Sequence, residues 1–140
     1  MPKAALPTAV VGRRGIEGDV QKSRKHHGRP WQALCLWSSE VINGFAADGH
    51  PIAPGSAGEN VTISGVDWSK LHGGMIIDLG EVRCQLSAPA TPCKNNAQWF
   101  TDGDISRIDE TTHPEAARWY ASVLKTGNIA PGDQVVVSPI

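Results

Sequence analysis

Cysteine is scarce and irregularly spaced in this chain: Cys35, Cys84 and Cys93 are the only three among 140 residues. An odd, scattered set argues against a disulfide framework and suits a reducing compartment, so a cytoplasmic protein is expected. No C-x-x-C or H-x3–5-H spacing occurs, so a zinc site built from the histidines with Cys84 or Cys93 has no motif behind it. No apolar run approaches the ~20 residues that span a bilayer. The opening Met1-Pro2-Lys3-Ala4-Ala5-Leu6-Pro7 lacks the apolar core of a signal peptide. Charge of one sign is missing too: 13 basic and 14 acidic side chains leave a net charge of -1. Neither nucleic acid nor membrane is therefore expected as a partner. P-loop, dinucleotide and nucleophile-elbow patterns are absent, and Ser56 in Gly55-Ser56-Ala57-Gly58 lacks the elbow spacing.

What the chain does have is glycine and proline, 15 and 10 residues, which favour short strands and turns over long helices. At this length one domain, 1–140, is expected, with no linker or repeat to divide it. Strands are expected at Thr8–Val11, Trp31–Trp37, Val61–Ile63, Met75–Leu79, Val82–Leu86 and Gln134–Ser138. Ser38 or Ser39 caps a short helix reaching about Phe45. A second helix is expected over Pro114–Lys125, with a Thr112/Glu115 capping box and an apolar stripe of Ala116, Trp119/Tyr120 and Val123/Leu124. Many short strands with few helices predict a mostly β, single-domain β-barrel.

Two features carry chemistry. Cys93 follows Pro92 in a loop beyond a strand end, where proline stiffens the backbone around the thiol. A thiolate there can bind a soft metal or carry sulfur, and a structural cysteine fits the local pattern as well. Cys84 shares an apolar strand face with Val82 and Leu86, and Cys35 sits in an apolar strand, so both are expected in the core. The second feature is the stretch from Arg13 to Arg29, where six basic residues face two acids, Glu17 and Asp19. In it, His26 and His27 can bind metal, phosphate or protons, and Arg24 and Arg29 can grip phosphate, unless the loop is merely solvated. Asp19 enters only as a neighbour of that loop. Asp78 and Asp133 read as turn-stabilising. Gly55–Asn60 has the outline of an anion-binding turn, in which Asn60 either meets a ligand or caps the turn.

In order along the chain, Gly15-Ile16-Glu17-Gly18-Asp19, His26-His27-Gly28 with Gln32-Ala33-Leu34, Gly55-Ser56-Ala57-Gly58-Glu59-Asn60-Val61-Thr62 with Gly65, Pro89-x-x-Pro92-Cys93, and Val123-Leu124-Lys125-Thr126-Gly127 with Gly132-Asp133 resemble the MOSC domain. That module is found at the C-terminus of molybdenum cofactor sulfurases. Each motif is weak alone, but the ordered set covers nearly the whole chain. Arg29 departs from it, standing where many members have a second glycine.

The resemblance implies a barrel-like β fold and a molybdenum cofactor (molybdopterin). Cys93 would be the metal ligand and catalytic group. His26, His27, Arg29, Asn60, Thr91 and Asp19 would line the cofactor pocket. It implies reduction of N-hydroxylated small molecules, with electrons expected from a separate electron-donor reductase. The alternative it implies is a sulfur carrier that holds a persulfide on Cys93, supplied by a PLP-dependent sulfurtransferase. Strand edges and five tryptophans also permit a homodimer.

Overall fold

The computed structural model describes residues 8–17 and 30–139. Nine strands run through it in chain order: β1 (Ala9–Gly12), β2 (Gly15–Ile16), β3 (Leu34–Ser38), β4 (Val61–Ile63), β5 (Ile76–Leu79), β6 (Val82–Pro89), β7 (Trp119–Lys125), β8 (Gly127–Ile129) and β9 (Val135–Ser138). One α-helix, α1 (Ser39–Ala47), and five short 3-10 turns complete the described residues, which places the chain in the mostly-β class. The described residues group into two compact units, one holding 35–71 and 89–119, the other 8–17, 30–34, 72–88 and 120–139.

In the first unit, β3 and β4 pair in parallel, with Leu36 opposite Val61 and Ser38 opposite Ile63. Every residue of β3 is buried, the continuous apolar reading typical of a strand covered on both faces. The chain then turns into α1, where Ser38 is the N-cap and its hydroxyl accepts from the Val41 N–H at 3.2 Å. Asp48 and Gly49 end the helix, and Gly49 takes φ +93, a left-handed value that glycine adopts without strain. Phe45, His50 and Phe100 pack edge to face, with ring centroids 5.2–6.1 Å apart.

The expected helix over Pro114–Lys125 is not formed. Pro114–Ala116 is a single 3-10 turn, and the chain continues extended into β7. The carbonyls an α-helix would need are already committed. The Trp37 indole N–H donates to Ala116 O at 2.9 Å and the Trp68 indole N–H to Ala117 O at 2.6 Å. The Ala90 N–H takes Arg118 O at 2.8 Å. The stripe that suggested a helix also contains the strand period: Ala121 and Val123 are buried, Ser122 is intermediate and Leu124 is exposed. Thr112 caps nothing; its hydroxyl donates to Ser106 O at 2.6 Å.

In the second unit, β1 lies between β2 and β8, antiparallel to both. β5 lies between β6 and β9, again antiparallel, and β7 flanks β6 on its other side. Val82, Cys84 and Leu86 point into the core together, as the alternation predicted, while Arg83 is exposed and pairs with Asp78 at 2.8 Å. That contact holds the Asp78 carboxyl below its ordinary range. Asp133 closes its turn by accepting from the Ala130 N–H at 2.9 Å, as expected of a turn aspartate.

Gly15 has no substitute in this frame. Its φ is +112, and a β-carbon there would overlap the carbonyl oxygen of Ala33. Gly15→Ala should cost at least about 2 kcal/mol, read as a lower midpoint in denaturant at unchanged m-value. A variant as stable as the parent would contradict this close approach.

Candidate functional site

Cys93 lies just past the end of β6 and caps a 3-10 turn, Lys94–Trp99. Its side chain is exposed, whereas Cys35 and Cys84 are 8% and 0% exposed. Burial pushes the Cys84 thiol up to about 12, with the nearby Asp78 charge adding to the effect. The core placement of Cys35 and Cys84 and the loop placement of Cys93 are as expected. One alkylated sulfur per folded chain, on Cys93, is therefore the expected result of brief thiol labelling followed by peptide mass mapping. Labelling of Cys84 at a comparable rate would overturn that assignment.

Beneath the Cys93 loop lies a buried polar hub. The Cys93 N–H donates to Asn96 Oδ1 at 3.0 Å, and the Asn96 N–H returns to Cys93 O at 2.9 Å. Asn96 is 4% exposed, and Arg118 behind it is 6% exposed. The Arg118 guanidinium donates to Ala57 O at 2.7 Å, Thr91 O at 3.3 Å and Asn96 Oδ1 at 3.3 Å. Arg118 thus joins two motifs singled out in the sequence, the Gly55–Asn60 turn and the Pro89–Cys93 loop. Burying a cation is costly unless its donors are satisfied; here Nη1 and Nη2 reach two carbonyl oxygens and one carboxamide oxygen, while the buried Nε–H has no hydrogen-bond partner among the described residues.

The Gly55–Asn60 turn already holds an acidic side chain of its own. The Gly55 N–H donates to Glu59 Oε2 at 2.7 Å, and Glu59 is 1% exposed. The Ser56 and Gly58 amides are spent within the turn, on Ala53 O and Gly55 O. The outline of an anion site was therefore legible, but the carboxyl group that fills it is internal. Asn60 fastens the turn to β3: its Oδ1 accepts from the Cys35 N–H at 2.9 Å, and its own N–H donates to Cys35 O at 3.0 Å. Thr91 is exposed, and its carbonyl belongs to the Arg118 set. Asp19, His26, His27 and Arg29 lie outside the described residues.

Desolvation raises the Glu59 carboxyl above its ordinary 4.5, against the opposing pull of the Gly55 amide and, more weakly, the Arg118 charge. A folded value above the unfolded one gives stability that is fully present below the unfolded value. That stability is lost as pH rises through the folded value. Glu59→Gln is free of this loss, so its Tm should gain on the parent's as pH rises from about 4.5 upward. A Tm difference that stays flat, or moves against the variant, would contradict the sign.

Arg118, Asn96 and Glu59 were not among the sequence candidates. The available signal was a lone arginine inside the apolar run Ala116-Ala117-Arg118-Trp119-Tyr120-Ala121, where a charge needs buried partners.

With this geometry in view, the MOSC domain pattern matches residues 23–136. The chain belongs to the MOSC family. This MOSC chain is 31% identical to YiiM of Escherichia coli (strain K12) over 121 residues, 83% of this chain and 53% of that protein. It is 27% identical to YflK of Bacillus subtilis (strain 168) over 134 residues, 94% of this chain and 59% of that protein. It therefore spans little more than half the length of these curated relatives. Among solved structures, YiiM from Escherichia coli superimposes with a TM-score of 0.69 at 25% identity, over 95% of this chain and 63% of that one. The YUAD protein from Bacillus subtilis does so at 0.71 and 18% identity, over 94% and 85%. The mostly-β fold of these proteins is the fold of this chain. Among the described residues no helix is long and apolar enough to cross a membrane.

Proposed function

We propose that this MOSC chain binds the molybdenum cofactor, with the Cys93 thiolate as the protein's ligand to molybdenum. On this reading it reduces N-hydroxylated small molecules with electrons from a separate reductase. The observation that carries the reading is the exposed Cys93 sulfur just after Pro92, the cysteine to which the MOSC resemblance assigns this role, backed by a buried Asn96–Arg118 support. The donor set agrees with such a group. Among the described residues no cluster of three or more His, Cys, Asp or Glu could hold a bare ion. A metal that arrives chelated by its own organic sulfurs needs one soft protein donor, and Cys93 supplies it.

His26, His27, Arg29 and Asp19, with Thr91, would bind the pterin and phosphate end, the cationic groups by charge-assisted hydrogen bonds; Asn60, bonded to the Cys35 backbone, would hold the adjoining turn in place. When bound, the cofactor supplies the acceptor for the oxygen of an N–OH group. Overall, an electron pair and two protons convert the hydroxylamine to amine and water. The free thiols suit the cytoplasm, where such a donor would be available.

The test is turnover of an N-hydroxylated base by protein from cells competent in cofactor synthesis, with reduced viologen as donor. Amine formation above the donor-only rate is expected; a rate equal to the donor alone would overturn the reading.

The same exposed sulfur, with no ligand cluster around it among the described residues, also favours a second reading. In it Cys93 carries a persulfide from a PLP-dependent sulfurtransferase to an acceptor. Incubation with such an enzyme and cysteine should add about 32 Da at Cys93, removable by a thiol reductant. An unchanged mass would exclude it.

A further inference from the structure

We infer that Asn96, held by Arg118, is the positioning residue of Cys93. It fixes the backbone from which the thiol is presented, and the inference rests on the Cys93 reading proposed above. The chain of contacts is short and mostly buried. Arg118 reaches Asn96 Oδ1 at 3.3 Å, and the same oxygen receives the Cys93 N–H at 3.0 Å. Arg118 also holds the Thr91 carbonyl at 3.3 Å, so the guanidinium grips the loop on both sides of Pro92. Its third contact, Ala57 O at 2.7 Å, ties that grip to the Gly55–Asn60 turn, and Asn96 Nδ2 donates to the same carbonyl at 3.4 Å.

An exposed cysteine on an exposed loop would otherwise sample many orientations, and ordering it at the moment of binding costs affinity. Here the ordering is done in advance by a carboxamide and a guanidinium whose own side chains are buried. Asn96 supplies one acceptor shared by the Cys93 N–H and the Arg118 guanidinium. A leucine, which branches at the same carbon, would leave both the Cys93 N–H and the Arg118 guanidinium short of an acceptor. Aspartate keeps that acceptor.

The experiment uses the full chain and compares Asn96→Leu with Asn96→Asp by residue-resolved hydrogen exchange and by molybdenum content. The Cys93 amide should exchange at least about tenfold faster in the leucine variant and stay near the parent's rate in the aspartate variant. The Ala90 and Phe100 amides, bonded to Arg118 O and Ala97 O, should stay unchanged in both and so report that the unit remains folded. Molybdenum per chain should fall in the leucine variant although its thiol is intact. An unaltered Cys93 amide in the leucine variant overturns the inference, as does equal loosening in both variants or full metal content beside a loosened amide. If the parent itself carries no molybdenum, the cofactor reading fails, and the exchange rates still decide the positioning of Cys93.

Discussion

Arg118→Met is expected to lower the Tm by about 10 °C or more, the largest stability loss of any single change considered. Methionine fills much the same space but donates no hydrogen bond. Ala57 O, Thr91 O and Asn96 Oδ1 would each lose a donor. Glu59 would also lose the charge that helps it ionise in a buried setting. Removing one member of a buried charged network costs on the order of 3–5 kcal/mol, more than the net value of the bonds themselves, because the remaining groups stay desolvated. Arg118→Lys keeps the charge but not the planar fork that reaches three acceptors at once, so it should fall between the two. A methionine variant melting within about 2 °C of the parent would show that the hub does not hold the loop.

Cys93→Ala should behave in the opposite way. The side chain is exposed and fills no core space, so Tm should move by less than about 2 °C. Reduction of an N-hydroxylated substrate, in contrast, should fall by at least about a hundredfold, because the proposed ligand to the metal is gone and no second cysteine is accessible. The two variants thereby separate stability from function: one weakens the support, the other removes the reacting atom. Full turnover by Cys93→Ala would remove Cys93 from the reaction.

The parts of the fold legible in the sequence were those set by local chemistry. Ser38 as a cap, the Val82/Cys84/Leu86 alternation and the Asp133 turn each follow from neighbouring residues, and each is present. Pro114–Lys125 was misread because its apolar spacing suits either period. The deciding partners, the Trp37 and Trp68 indoles and the Ala90 amide, lie 24 or more residues away and are invisible to a local pattern. The site divides similarly. Cys93 was legible from Pro92 and the strand before it. Its support was not, because the Asn96–Arg118 contact joins residues 22 apart and the Arg118–Ala57 contact residues 61 apart. The Gly55–Asn60 turn had the right glycines for an anion, but the group its Gly55 amide meets is the carboxyl of its own Glu59.

The most direct test of the central claim is the molybdenum and pterin content of this chain and of Cys93→Ala, purified side by side from cells that make the cofactor. The account predicts both components in the parent, in equal amount, and loss of molybdenum from the alanine variant at unchanged fold. A parent without molybdenum, or a variant that holds as much as the parent, would contradict it.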